Sequence, residues 1–136
     1  MNVYVDSSVL LRVAFGEPDA LSDWPRIANP TSSEIIRIES LRTIDRARNE
    51  RRLDDAEVSR LRADLIRAIE AFALIILGDA VKARAAEPFP TLLGTLDAIH
   101  LSSALLAREQ VDDLVFATHD RELALAARSV GFDVIT

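Results

Sequence analysis

Short β-branched and aromatic runs alternate along the chain with longer stretches whose apolar positions recur every three or four residues. The first run, Asn2 to Val5, reads as a buried strand ended by Asp6. Ser7 and Ser8 then precede Val9 to Phe15, an apolar stretch that predicts a helix stopped by Gly16. Glu17-Pro18-Asp19 predicts a second short helix containing Trp24, with an irregular end because prolines stand at 25 and 30. Pro30 to Ser33 reads as a short second strand. A strong helix is expected from Glu34 to Asn49, with Thr31 and Glu34 at capping-box spacing and Ile35, Ile36, Ile38, Leu41 and Ile44 as its apolar side. A polar turn over 51–55 leads to another helix, Ala56 to Ala71, so the two form a hairpin. Phe72 to Leu77 is wholly apolar and of strand length, bounded by Gly78-Asp79. Helices over Asp79 to Glu87 and Leu96 to Arg108 come next, the second with Thr95 as its expected cap. Leu114 to Ala117 reads as the fourth strand, Arg121 to Ser129 as a helix stopped by Gly131, and Phe132 to Ile135 as the last strand.

Strands alternating with helices predict an α/β fold: a single domain over 1–136, three layers (α/β/α), with a mainly parallel central sheet of about five strands. In such sheets ligands bind outside the carboxyl ends of the strands, at the point where strand order reverses. Residues just beyond a strand's carboxyl end are therefore the first candidates for a site.

Four acids stand at such places. Asp6 comes directly after the first strand, and Asp120 lies three residues past the fourth. Glu39 is on the helix after the second strand, beside the apolar side formed by Ile35 and Ile36. Asp97 opens the helix before the fourth strand and shares a face with Leu101 and Ala104. Each acid has a plainer explanation when taken alone. Asp6 and Asp120 could cap helices, and Glu39 could pair with Arg42 or Arg46. Asp97 could be a first-turn acid favoured by the helix dipole. Together they would repel, by about 4 kcal/mol for two unit charges 4 Å apart at an effective dielectric of 20. A divalent cation makes such a cluster tolerable, and an all-oxygen carboxylate site suits Mg²⁺ or Mn²⁺ rather than zinc. Glu34 lies about 140° of helical turn from Glu39 and should not share its ligand face. His100 reads as a satisfied packing residue and His119 as exposed or structural.

Composition narrows the partners. The chain has 136 residues, no cysteine and a net charge of −6, which excludes disulfides, thiolate metal sites and a simple electrostatic glove for nucleic acid. Fifteen of its sixteen cations are arginine, and nine of these fall between Arg37 and Arg67. Acids interleave them, so ion-paired solvated helices account for that stretch at least as well as an RNA groove. The longest apolar run, Ala71 to Leu77, is too short to span a membrane, and the N-terminus lacks the basic region of a signal peptide. No membrane association and a cytoplasmic location are expected.

Four segments, VYVDSSVLLR, SEIIRIESLR, TLDAIHLSSAL and FATHDRELALAARSVGF, occur in this order across the whole chain. Through them the chain resembles PIN-domain endoribonucleases of the VapC toxin type. That resemblance implies a PIN-like α/β/α domain with metal-binding acids at Asp6, Glu39, Asp97 and Asp120, and hydroxyl-bearing support from Ser8 and Thr118. It implies Mg²⁺-dependent hydrolysis of single-stranded or looped RNA, with Mn²⁺ as an alternative ion. It also implies a homodimer and a small VapB-like antitoxin partner, expected on the apolar helical surface around Val9, Leu10, Val13 and Trp24. Gly94 stands where many relatives carry an arginine, and Pro30 interrupts the usual second strand. A haloacid-dehalogenase-like phosphatase would need a second aspartate where Ser8 stands. A phosphoacceptor receiver would need a late lysine, and Lys82 is the only lysine. The remaining alternative is a PIN scaffold without catalysis that binds RNA or protein.

Overall fold

The computed structural model describes all residues, 1–136. Five strands form one parallel sheet: β1 (Asn2–Val5), β2 (Asn29–Ser33), β3 (Ala73–Ile75), β4 (Val115–Ala117) and β5 (Val134–Ile135). Their order is β3-β2-β1-β4-β5, so the chain winds outward from β1 in one direction, then returns to build the other half. Order reverses between β1 and β4, where Val5 pairs with Ala117. Six helices connect the strands: α1 (Ser7–Ala14), α2 (Ile35–Glu50), α3 (Asp55–Glu70), α4 (Asp79–Ala85), α5 (Thr95–Arg108) and α6 (Arg121–Ser129).

Alternation along β1 sorts the core into two halves. Val3 and Val5 face α1, α2 and α3 through Val9, Leu10, Ile36, Ile44, Leu65 and Ile69. Tyr4 faces the opposite way, onto Phe116 and onto α5 and α6 through Leu101, Ala104, Leu123 and Ala127. The sheet is thus sandwiched between two helical layers, as the strand–helix alternation predicts. Gly16 and Gly131 end α1 and α6 with φ of 65° and 92°, the left-handed conformation in which glycine carries no Cβ penalty. No helix is long and apolar enough to cross a membrane.

Local expectations fail where tertiary contacts or missing donors decide. No α-helix forms after Glu17; prolines 18 and 25 remove backbone donors, and only a 3₁₀ turn over Trp24–Arg26 survives. Pro30 does not prevent β2. It pairs with Val3 of β1, and β3 begins alongside only at Thr31, so its missing N–H falls at the start of the strand. The strand expected in the apolar run 72–77 is present but only three residues long, at the edge of the sheet, with Leu74 39% and Ile76 70% exposed. The Thr31–Glu34 capping box is absent. Thr31 is buried in the sheet, Ser33 Oγ accepts from Ile35 N, and the Glu34 carboxylate accepts from the backbone N–H of Leu77. At α5, Gly94 rather than Thr95 holds the N-cap position.

Candidate functional site

Asp6 leaves β1 at the switch point and becomes the N-cap of α1, accepting from Ser8 N. Capping and site membership are therefore not alternatives for this residue. Its other oxygen, Oδ2, accepts from Ser8 Oγ at 3.0 Å and from Thr118 Oγ1. Asp6 is only 3% exposed, and burial raises its carboxyl above the usual range despite these bonds. Thr118 and Ser8 tie the two strand ends together. Thr118 Oγ1 also accepts from Asp120 N at 3.0 Å, and Ser8 Oγ accepts from His119 N at 3.0 Å. These two hydroxyls link β1, β4 and the segment carrying Asp120.

Asp120 caps α6 through Oδ1, which accepts from Leu123 N at 2.8 Å, and the residue stays exposed. Asp97, in the first turn of α5, is half-buried. Burial, then the charges of Asp120, Asp6 and Glu39, push its carboxyl up to about 6, while His100 opposes the rise. Asp97 thus feels the other three predicted acids across the crevice beyond β1 and β4. The four do not close into a cage: no three acids or histidines come together at metal-holding spacing. Asp6, Glu39 and Asp120 are each held by hydrogen bonds of their own, and mutual repulsion favours the spread arrangement.

The tether of Glu39 is the part that local reading misses. Glu39 pairs with neither Arg42 nor Arg46. Its Oε1 faces His100 Nε2 at 2.5 Å, and its Oε2 accepts from Ser7 Oγ at 3.4 Å. Behind it, His100 Nδ1 lies 2.9 Å from the Tyr4 hydroxyl, which accepts from Ser33 N at 3.0 Å. The set is satisfied if Tyr4 donates to Nδ1 and Nε2–H donates to Glu39. His100 is indeed a satisfied buried residue, 1% exposed, but what it satisfies is a site carboxylate. Its position three residues after Asp97, on the same helical face, was the available signal. Glu34 instead accepts from the backbone N–H of Leu77.

The expected partner surface needs correcting. Val9 and Leu10 are core residues, buried against β1 and the hairpin, and cannot serve as docking anchors. Only Val13 and Trp24 of that set are partly exposed. Trp24 lines an apolar cleft of about 220 Å³ with Ile27, Pro30, Ala68 and Phe72.

The side chains facing the crevice are carboxylates, the oxygen-donor type that suits Mg²⁺ or Mn²⁺, although no three of them stand at metal-holding spacing.

Comparison with known proteins agrees with this architecture. Residues 3–129 match the PIN domain family. The chain is 34% identical over 136 residues to "Ribonuclease VapC46" of Mycobacterium tuberculosis, a match covering 98% of this chain and 95% of that protein. A solved toxin–antitoxin complex from Klebsiella pneumoniae has the same fold, with a TM-score of 0.66 at 19% identity over 99% of this chain and 97% of that one. A parallel sheet with acids at its switch point, matched over nearly its whole length in this way, places the chain in the PIN-domain family, in its VapC-type branch.

Proposed function

We propose that the protein is a Mg²⁺-dependent endoribonuclease, the toxin of a toxin–antitoxin pair, which hydrolyses RNA phosphodiester bonds and so inhibits translation and growth. The observation that carries the reading is geometric: Asp6 ends β1 and Asp120 follows β4 at the switch point, and Thr118 and Ser8 bind the two strand ends together. The raised carboxyl of Asp97, driven by burial and then by Asp120, Asp6 and Glu39, supports it.

Asp6, Asp97 and Asp120 would hold the ion, and Glu39 would hold a second ion or orient the attacking water. A bound Mg²⁺ supplies charge neutralisation at the phosphate and makes nearby water more acidic. The protein's part is positioning. Thr118 and Ser8 fix the rotamer of Asp6, and His100 with Tyr4 fixes Glu39, so the acids are held before substrate arrives. A VapB-like antitoxin is the partner, with Trp24 and its apolar cleft as one docking element, and the toxin acts as a homodimer.

The test is cleavage of total RNA by purified protein freed of any partner. Cleavage should require Mg²⁺ or Mn²⁺ and stop on chelation; a clean preparation that cuts no RNA with either ion would leave only the binding scaffold.

Asp97 also makes a stability prediction. Its folded value of about 6 lies above the ordinary 3.8, so the fold binds that proton more tightly than the unfolded chain. Stability without added metal should therefore fall as pH rises from 3.8 through 6, and the penalty is fully present above that window. For a half-exposed group the screened cost is about 1 kcal/mol. Asp97→Asn should raise the unfolding free energy from urea melts at pH 8 by that amount, and the gain should vanish near pH 4. Equal gains at both pH values would show that charge is not the cause.

A further inference from the structure

We propose that the cavity on the outer side of Asp120 is a phosphate subsite that grips the RNA backbone next to the bond being cleaved, with Arg121 and Arg128 as its binding groups. The proposal rests on the nuclease reading and adds to it the residues that hold the strand.

The cavity measures about 470 Å³, and Arg12, His119, Asp120, Arg121, Ala124 and Arg128 are among its walls. Ala124 is its one apolar lining residue. Arg121, Ala124 and Arg128 have the i, i+3, i+7 spacing of a single helical face on α6. Ala124 is buried, so the floor between the two guanidinium stems is low. Asp120 belongs both to this cavity and to the ring of acids, so a strand whose reacting phosphate lies over the acids can run directly along this face.

Of the three arginines that line this cavity, only Arg12 is held in an ion pair. Arg12, Arg48, Arg51 and Arg67 each have a carboxylate partner. Arg121 and Arg128 are exposed and form no ion pair or side-chain hydrogen bond, although the chain is acidic overall. His119 adds an Nε2 with no hydrogen-bond partner. The surroundings are polar, which excludes an apolar ligand. An arginine fork matches the oxygens of a phosphodiester, and the contact is indifferent to base identity. The two arginines would then supply the positive field that the net charge of the chain withholds.

The experiment measures binding of a labelled single-stranded RNA in Mg²⁺ across a salt series, with Asp97→Asn as the background so that the probe survives. Removing Arg121 or Arg128 as Arg→Gln should make the slope of log affinity against log salt shallower by about 0.7 per arginine, and by about 1.4 for the pair. In the otherwise native protein the pair should raise KM for RNA and leave kcat alone. Hydrolysis of bis(p-nitrophenyl) phosphate, a diester with no neighbouring phosphates, should be unchanged. Arg60→Gln with Arg62→Gln, both exposed on α3, should leave the slope as it was. An unchanged slope in the Arg121/Arg128 pair would overturn the proposal. So would loss of small-diester hydrolysis, or an effect confined to binding of a protein partner, since an acidic segment could meet the same guanidiniums. Failure of the unsubstituted protein to cleave either substrate would instead strike the nuclease reading, and the salt slope would still decide the subsite.

Discussion

Asp6→Asn is expected to lower metal-dependent RNA cleavage by about 10²-fold or more while leaving the fold intact. Partners standing behind a metal ligand already cost about 10–100-fold when removed, so losing a ligand charge should cost at least the upper figure. Asparagine keeps the oxygen that caps α1 through Ser8 N, and the Thr118 and Ser8 hydroxyls can rotate to accept from its amide. Burial holds the Asp6 carboxyl above its ordinary range, so the ionised form is costly at neutral pH. Thermal melts without added metal should therefore place Asp6→Asn at or above the unsubstituted protein. Asp6→Ala loses the cap as well and should fall by about 1–2 kcal/mol. Removing a second acid should add little further loss of activity, because residues that act as one unit are non-additive. Glu34→Gln is the control, since its carboxylate is bound to Leu77, just past β3. Full cleavage by Asp6→Asn, or equal damage from Glu34→Gln, would refute the assignment.

His100→Ala is expected to be the most destabilising change at the site, by about 2–4 kcal/mol. The imidazole is buried between Tyr4 and Glu39, and truncation leaves a void, a buried Tyr4 hydroxyl without its acceptor and a Glu39 Oε1 without its donor. Activity should fall with it, because Glu39 loses its orientation. His100→Gln can return an N–H toward Glu39 and should recover part of both losses. Urea unfolding at neutral pH, read beside cleavage by the folded fraction, separates the two effects. An alanine variant as stable as the original would mean that Tyr4 and Glu39 find other partners.

The order of elements was legible because its causes are local. Apolar periodicity marks the helices, β-branched runs mark β1 and β4, and Gly16 and Gly131 end helices through backbone freedom that needs no tertiary contact. Asp6 and Asp120 could be placed at the crevice because an α/β sheet exposes the carboxyl ends of its strands wherever its order reverses. Thr118 and Ser8 were legible only through the resemblance, and the structure supplies their reason by joining β1 to β4.

Sequence alone, then, determined the α/β class, the strand–helix order and the acids at the strand ends, since each depends on residues near in the chain. Tertiary structure decided how those residues were used. It made 72–77 an exposed edge, because nothing hydrogen-bonds to the outer side of β3. It sealed Val9 and Leu10 into the core, because α1 packs between β1 and the helical hairpin. It gave Glu39 a histidine 61 residues away instead of an arginine one turn on. It also kept the four acids from closing on one point, with Asp6, Glu39 and Asp120 each on a separate tether. Hydrogen bonds and burial between distant segments set these outcomes, and a local pattern carries no record of them.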